Sequence, residues 1–230
     1  FLMIDDPARL GILASRLNLD VPVVEIASPH EAAACFPDAL PVLPQSLATG
    51  VEPGRPDPAN VTAVTGAIRR AVALALAGEV AALVTNPIHK QVMHRGGFAF
   101  PGHTEFLASL LGADAPREVM MLACPGLRVV PVTIHVSLAE AAAGLRTDDI
   151  VEIGMVTAKA LVRDFGINHP RLAVAALNPH AGEGGDMGRE DMEIVAPAVE
   201  RLRLAGIDAF GPLPADTLFH ARARQTYDAA

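Results

Sequence analysis

Short apolar runs alternate along the chain with longer segments in which apolar residues recur every three or four positions. The runs that predict strands are Val80–Val84, Val119–Leu122, Val129–Ile134 and Leu172–Leu177. The first and last are continuously apolar, which is typical of strands covered on both faces. The helical period predicts helices over Asn60–Ala77, Thr147–Phe165 and Met192–Leu202. Repeated alternation of strand and helix predicts an α/β architecture with a largely parallel sheet.

Two further helix starts are predicted from local signals. Ser137 and Glu140 have the spacing of a capping box, so a helix is expected directly after Ile134 and His135. In the stretch Gly102-His103-Thr104-Glu105, Thr104 is the expected cap of a helix that ends near Gly112.

Composition narrows the class of protein. The chain has 230 residues, of which 51% are hydrophobic, enough for one large domain or two modest ones. Its net charge of -8 offers no basic stripe for nucleic acid. Cys35 and Cys124 are far apart and form no CxxC pair, which is typical of the reducing cytoplasm. No apolar run approaches the ~18 residues of a membrane span, so no membrane partner is expected.

Both ends of the sequence indicate a piece of a longer protein. Phe1–Ile4 resembles a strand that is cut at its start, and it lacks the basic flank of a signal peptide. The segment Gln225–Ala230 stops without a helix cap or a polar tail. We expect an ordered fragment.

Histidines follow three of the predicted strands. His89, His135 and His180 come after the runs that end at Val84, Ile134 and Leu177, and Asp216 follows a fourth apolar stretch. Because ligands bind beyond the carboxyl ends of parallel strands, these side chains are candidate ligands for a divalent metal. The alternative is that each histidine only caps a turn, and this alternative is strongest for His89, which lies past a proline.

The expected helix start at His103 and Thr104 is a candidate anion site. The first N–H groups of a helix carry partial positive charge and attract phosphate or carboxylate, and a histidine beside them adds a donor. An ordinary capped helix with a chance neighbour explains the same residues equally well.

Several common site motifs are absent from the sequence. No GxGxxG fingerprint, no Walker-A sequence and no Gly-x-Ser-x-Gly elbow occurs in the 230 residues. Dinucleotide binding of the usual Rossmann kind is therefore not predicted from the motifs.

Four blocks together resemble one enzyme family. These blocks, in order, are Thr85–Lys90, Gly102–Glu105, Asn178–Gly185 and Gly211–Thr217. In this order they are similar to 4-hydroxythreonine-4-phosphate dehydrogenase, the NAD-dependent enzyme of pyridoxal 5'-phosphate biosynthesis. The resemblance extends from about Pro22 to Ala230.

The resemblance implies a two-domain α/β/α fold like that of isocitrate and isopropylmalate dehydrogenases, which bind NAD without a Rossmann fingerprint. Residues 1–100 would belong to the first α/β domain and residues 101–230 to the second, which would carry the metal and substrate site. It also implies a cytoplasmic homodimer with a shared active site.

The resemblance also implies roles for individual residues. His103 and Thr104 would bind the phosphorylated substrate, and His135 and His180 would bind a divalent metal such as zinc, magnesium or cobalt. Asp216 would lie at the metal site, either within its own subunit or reaching it from the partner. No catalytic or NAD-binding residue is assigned.

Parts of the family pattern are missing from this sequence. The third metal histidine of the family lies in a Tyr-His-Asp-Gln segment expected after Ala230, and the later substrate-binding Lys, Asn and Arg are also absent. The glycine-rich opening of the family is absent too, because Asp5-Asp6-Pro7-Ala8 lacks its glycines. We expect both parts to belong to the longer protein.

The predicted activity is NAD-dependent, metal-dependent oxidation of 4-phosphohydroxy-L-threonine, an alcohol dehydrogenase reaction. The first alternative is a related dehydrogenase that acts on threonate phosphate, erythronate phosphate or a diol carboxylate. The second is a non-enzymatic metal-binding or anion-binding module. The α/β pattern alone also allows a phosphate-acetyltransferase-like enzyme, which needs neither metal nor NAD.

Overall fold

The structure is a computed structural model that describes residues 1–112 and 117–230. The chain divides into two compact units, Phe1–Ala115 and Pro116–Ala230. The sequence-based division into domains at residue 100 stays a prediction.

The first unit contains a three-stranded parallel sheet with strand order β1-β3-β2. Its elements along the chain are β1 Met3–Asp5, α1 Pro7–Arg16, β2 Val23–Glu25, α2 Ala32–Cys35, β3 Leu40–Pro44, α3 Val61–Leu76, α4 Lys90–Arg95 and α5 His103–Leu111.

Two apolar clusters form the core of the first unit. Leu43, on the central strand β3, is fully buried and packs with Ile26 and Ala32. Phe106 of α5 is also fully buried and packs against one face of α3, including Ile68 and Val72. Burying a large aromatic ring anchors α5 and so fixes the position of its amino-terminal turn.

The second unit contains two short pairs of strands and four helices among its described residues. Its elements are β4 Leu122–Cys124, β5 Leu127–Val129, α6 Leu138–Gly144, α7 Thr147–Phe165, β6 Arg171–Ala175, α8 Ala196–Leu204, β7 Asp208–Leu213 and α9 Ala215–Leu218. A π-helical turn, Asp191–Val195, runs directly into α8.

The sheet of the second unit is mainly parallel. β6 pairs in parallel with β7, and Leu172 of β6 forms a parallel bridge to Ala229 on its other side. Ala230 in turn accepts a hydrogen bond from the Val130 amide at 2.8 Å and donates one to the Arg128 carbonyl at 3.0 Å. β4 and β5 form an antiparallel hairpin, which is the exception to the expected parallel pattern.

Helices α7 and α8 cover this sheet. Leu161, Val199 and Leu202 are at most 1% exposed and belong to one apolar cluster with Leu172 and Ala209 of the strands. A Cβ atom added to Gly154 would lie 2.9 Å from the methyl groups of Leu202. The glycine therefore lets α8 approach α7 closely.

The helix predictions are largely confirmed. α7 spans the predicted residues, α3 lies within the predicted Asn60–Ala77, and Ser137 and Glu140 form the predicted capping box of α6. Gly166 ends α7 in a left-handed conformation with φ 68°, as its position after the apolar period indicates.

The strand predictions are confirmed only in part. The predicted Leu172–Leu177 overlaps most of β6, whereas the predicted Val119–Leu122 and Val129–Ile134 overlap β4 and β5 by single residues. The prediction for Val80–Val84 is wrong, because this segment is irregular and Val84 is 87% exposed. An apolar run becomes a strand only where a neighbour completes its ladder, and no described strand pairs with this run.

The predicted α/β class with parallel strands is confirmed. In the part of the chain that the structure describes, no helix combines the length and the apolar character that crossing a membrane requires.

The buried face of α8 gives a test of this packing. Leu202→Ala should lower the free energy of unfolding by about 2–5 kcal/mol, because it removes methyl groups from a closed core and leaves a cavity. Leu204→Ala is the matched control, since Leu204 is 79% exposed on the same helix. Urea unfolding measures both variants, and equal stabilities would contradict the packing described here.

Candidate functional site

The three predicted metal-binding residues lie in the second unit, and each follows a chain segment that runs in the same direction. β6 and β7 run in parallel, and the parallel bridge through Ala229 and Ala230 gives the segment around Val129 that direction too. His180 follows β6, Asp216 follows β7 and His135 follows the segment that begins with β5. All three residues therefore lie beyond the carboxyl ends of parallel segments.

The segment that carries His180 is a left-handed turn. Residues 180–184 all have positive φ, and for His180, Ala181 and Glu183 the values are 52°, 55° and 43°. This conformation costs roughly 1–2 kcal/mol for each non-glycine residue. Strain of this kind persists only where surrounding structure imposes it, and it is concentrated at functional sites.

Two glycines allow the turn to close on itself. A Cβ atom on Gly182 would lie 2.8 Å from the carbonyl oxygen of Gly188, and one on Gly188 would lie 2.8 Å from Nδ2 of Asn178. The Met187 amide also donates to the Gly182 carbonyl at 3.1 Å. The glycines in this stretch therefore serve a tightly packed turn.

His135 also has left-handed backbone geometry, with φ 59°. It is exposed and lies two positions before Ser137, whose hydroxyl accepts the Glu140 amide at 3.2 Å to begin α6. A positive φ is uncommon outside glycine, and here it reorients the chain between the end of one segment and the start of a helix.

Asp216 lies in the first turn of α9 and is exposed. Helix α9 contacts the turn Pro179–Gly185 that carries His180. The structure thus places the elements of Asp216 and His180 against each other.

The donor chemistry of these residues fits a divalent metal. Imidazole nitrogen and carboxylate oxygen are ligands that zinc and cobalt use in proteins. Over residues 1–112 and 117–230, no group of three or more His, Cys, Asp or Glu side chains is positioned to hold a metal. The assignment of His135, His180 and Asp216 as metal ligands stays a prediction.

The candidate anion site lies in the first unit, at the start of α5. The helix begins at His103 after Gly102, and no side chain caps it. The expectation that Thr104 caps this helix is wrong, because the extended backbone at Gly102 starts the helix two residues earlier and places Thr104 inside its first turn. Since no side chain caps the helix, its first N–H groups remain suited to an anion.

Charged side chains lie beside the start of α5. A Cβ atom on Gly102 would lie 3.5 Å from Nζ of Lys90 and 3.2 Å from Oε2 of Glu105. The ammonium group of Lys90 and the carboxylate of Glu105 therefore both approach the amino-terminal end of α5.

His103 has an unusual environment in the first turn. Its Nε2 atom is buried without a hydrogen-bond partner among the described residues. Burial lowers the pKa of His103 from the ordinary value of 6.5, because the charged imidazolium loses hydration. An anion at this position would give that nitrogen a partner.

His89 has a local structural contact. It precedes α4, and its Nδ1 accepts a hydrogen bond from the Val92 amide at 3.4 Å. This contact is the turn-capping role expected for it.

Sequence reasoning missed Lys90 and Asp191. Lys90 lies inside a recognised block, but nothing in the sequence indicates that it reaches Gly102. Asp191 is fully buried, and it is spaced four residues before the buried Val195, where a core residue is expected. The periodicity placed Met192 on the apolar face instead, but Met192 is 39% exposed.

Comparison with known proteins identifies the family. The family model described as pyridoxal phosphate biosynthetic protein PdxA matches residues 2–230. The chain belongs to this family. It is similar to the 4-hydroxythreonine-4-phosphate dehydrogenase of Caulobacter vibrioides, with 54% identity over 90% of this chain and 64% of the relative.

Two solved structures share this architecture, with different degrees of similarity to this chain. A 4-hydroxythreonine-4-phosphate dehydrogenase from Burkholderia phymatum is 35% identical with a TM-score of 0.87, over 99% of this chain and 68% of that one. A terephthalate 1,2-cis-dihydrodiol dehydrogenase from Burkholderia xenovorans is 26% identical with a TM-score of 0.65, over 99% and 76%.

The chain of this PdxA family member spans 64% of the length of its Caulobacter relative. The resemblance stated from the four sequence blocks is confirmed by the family model and by these relatives. It covers nearly the whole chain, including every candidate site residue.

The environment of His103 predicts its titration. In the protein without added anions, the midpoint for His103 should lie below 6.5, because burial favours the neutral ring. Proton NMR of the imidazole resonances measures it, and the His103→Gln variant assigns the signal by its loss. A midpoint at or above 6.5 would contradict the described burial.

Proposed function

We propose that this chain forms part of an NAD- and divalent-metal-dependent 4-hydroxythreonine-4-phosphate dehydrogenase. The substrate is 4-phosphohydroxy-L-threonine, and the product of oxidation is 2-amino-3-oxo-4-phosphooxybutanoate. This product decarboxylates to 3-amino-2-oxopropyl phosphate in pyridoxal 5'-phosphate biosynthesis.

The observation that carries the proposal is the match over nearly the whole chain to a family whose members bear this name. The geometry of the second unit supports it independently. Two imidazoles and a carboxylate follow parallel segments, and both histidines have left-handed backbone.

The phosphate end of the substrate is assigned to the start of α5. Thr104 lies in its uncapped first turn, and His103 offers its buried Nε2 as a donor in the neutral tautomer that carries the proton there. The exposed Lys90 brings a positive charge near Gly102, where it lies beside the Glu105 carboxylate. These groups bind and orient the substrate, which lowers the entropic part of the barrier.

The metal end is assigned to His135, His180 and Asp216, the last from this subunit or from the partner of a homodimer. When bound, a divalent cation such as zinc, magnesium or cobalt acts as a Lewis acid that favours loss of the hydroxyl proton. The two imidazoles would hold the cation through ring nitrogens.

The proposed reaction is the oxidation of a secondary alcohol to a ketone. With NAD as the hydride acceptor, the C–H bond would break, the hydroxyl proton would be released, and a ketone would form. Because the ketone is β to the substrate carboxylate, the C–C bond to the carboxylate then breaks, carbon dioxide leaves, and the electron pair forms an enolate that is protonated. No residue of this chain is assigned as the proton acceptor. NAD dependence, the dimer and a cytoplasmic location belong to the proposal as well.

A second candidate substrate is a diol carboxylate. The likeness to the terephthalate dihydrodiol dehydrogenase, at a TM-score of 0.65, favours a diol carboxylate over threonate phosphate or erythronate phosphate. Such a substrate carries no phosphate, so it would not require the anion site on α5.

The most informative test is an NAD-reduction assay on the full-length protein. With 4-phosphohydroxy-L-threonine we expect activity that a chelator abolishes and an added divalent ion restores. Turnover of a diol carboxylate alone would select the second candidate. A bound metal without reduction of NAD by any candidate substrate would contradict both and favour a binding module.

The ligand assignment has its own test. His135→Ala and His180→Ala should each lower the metal content of the dialysed protein, because each removes one imidazole ligand. Metal analysis by mass spectrometry measures the loss, with His169→Ala as a control that removes an exposed imidazole from the same unit. Wild-type metal content in both variants would refute the assignment.

A further inference from the structure

Asp191 is an acidic side chain that is fully buried in the second unit. Its two carboxyl oxygens accept separate backbone hydrogen bonds, from the Leu177 amide at 2.7 Å and from the Asn178 amide at 3.0 Å. These two residues connect the end of β6 to the turn that carries His180. The carboxyl group therefore holds the chain where it leaves the strand.

The chain needs such an acceptor at this point. The Ala176 amide still bonds to the Leu213 carbonyl of β7 at 2.8 Å, but the left-handed turn that follows cannot continue the ladder. An N–H group without a partner costs about 1–3 kcal/mol in a buried setting. Asp191 supplies the acceptors that the next two amides would otherwise lack.

The π-helical turn explains how the carboxyl group reaches this position. Asp191 begins the turn Asp191–Val195, and this wider turn precedes the α-helical α8. π-helical turns are rare in proteins as a whole, and those that occur are often found at functional sites. Here the turn directs Asp191 inward and leaves the neighbouring Met192 exposed.

The hydrogen bonds of Asn178 also constrain the backbone at His180. The Asn178 carbonyl accepts the Ala181 amide at 3.2 Å and so closes the backbone around His180. Oε2 of Glu190 accepts Nδ2 of Asn178 at 2.8 Å, which fixes the same residue from its side chain. A Cβ atom on Gly182 would lie 3.6 Å from Oδ2 of Asp191, so the turn also packs directly on the carboxyl group.

We propose that Asp191 is a positioning residue that imposes the left-handed turn and thereby holds the His180 imidazole ready for a divalent metal. This inference rests on the proposed function, in which His180 is a metal ligand. Asp191 acts through the backbone and does not contact the metal or the substrate.

The test replaces one acceptor oxygen with a donor. Asp191→Asn turns an amide N–H₂ group toward one of the two backbone N–H groups, so one hydrogen bond is lost. Asp186→Asn is the matched control, because Asp186 is an exposed acid in the same loop. Asp191→Glu keeps both acceptors and should recover part of the loss.

Two measurements on the full-length protein separate positioning from general stability. Calorimetric titration with Co²⁺ should show that the affinity of Asp191→Asn for the metal is lower than that of the wild type by about 10-fold or more. Mutation of residues that orient metal ligands has effects of this size. Hydrogen exchange should become faster in peptides that cover residues 177–184 and remain unchanged in α7. Asp186→Asn should match the wild type in both measurements.

The outcomes distinguish this inference from the proposed function. Wild-type protein that binds Co²⁺, with Asp191→Asn binding equally well, overturns the positioning role alone. Exchange that rises equally in α7 overturns it too, because the effect would then be global. Wild-type protein that binds no Co²⁺ overturns the metal assignment of the proposed function and the positioning role with it.

Discussion

The parallel direction of the segments in the second unit is the constraint on which the candidate metal site depends. Parallel strands place the residues that follow them at one edge of a sheet, so His135, His180 and Asp216 leave toward the same side. The terminal residues take part in this arrangement, because Ala229 bridges to Leu172 and Ala230 bonds to Arg128 and Val130. An antiparallel pairing of any of these segments would place one candidate residue at the opposite edge.

The left-handed backbone at the two histidine segments is a second constraint on the candidate metal site. The backbone at His135 and at residues 180–184 is left-handed, which an unconstrained chain avoids. The buried acceptors of Asp191 and the close approach of Gly182 to Gly188 maintain the second of these turns. The hydrogen bonds that Asp191 accepts thus offset part of the backbone strain in this turn.

Sequence reasoning reached the regular parts of the fold and the chemical types of the site. The periods in α3 and α7 and the capping box at Ser137 are local signals, so these elements were predictable. Val80–Val84 was not, because strand formation depends on a neighbour that the run itself does not specify. Asp191 was missed because its residue type suggests an exposed position, although its spacing of four residues before Val195 is that of a core residue. A helix at α5 was predicted, but its cap was placed two residues too late, at Thr104 and not at Gly102.

The most direct measurement of the central claim is a zinc-edge anomalous diffraction experiment on crystals of the full-length protein grown with Zn²⁺. The account predicts one strong peak within about 2.0–2.1 Å of a ring nitrogen of both His135 and His180. A peak bound by only one of these rings, or zinc bound elsewhere with neither ring as a ligand, would contradict it.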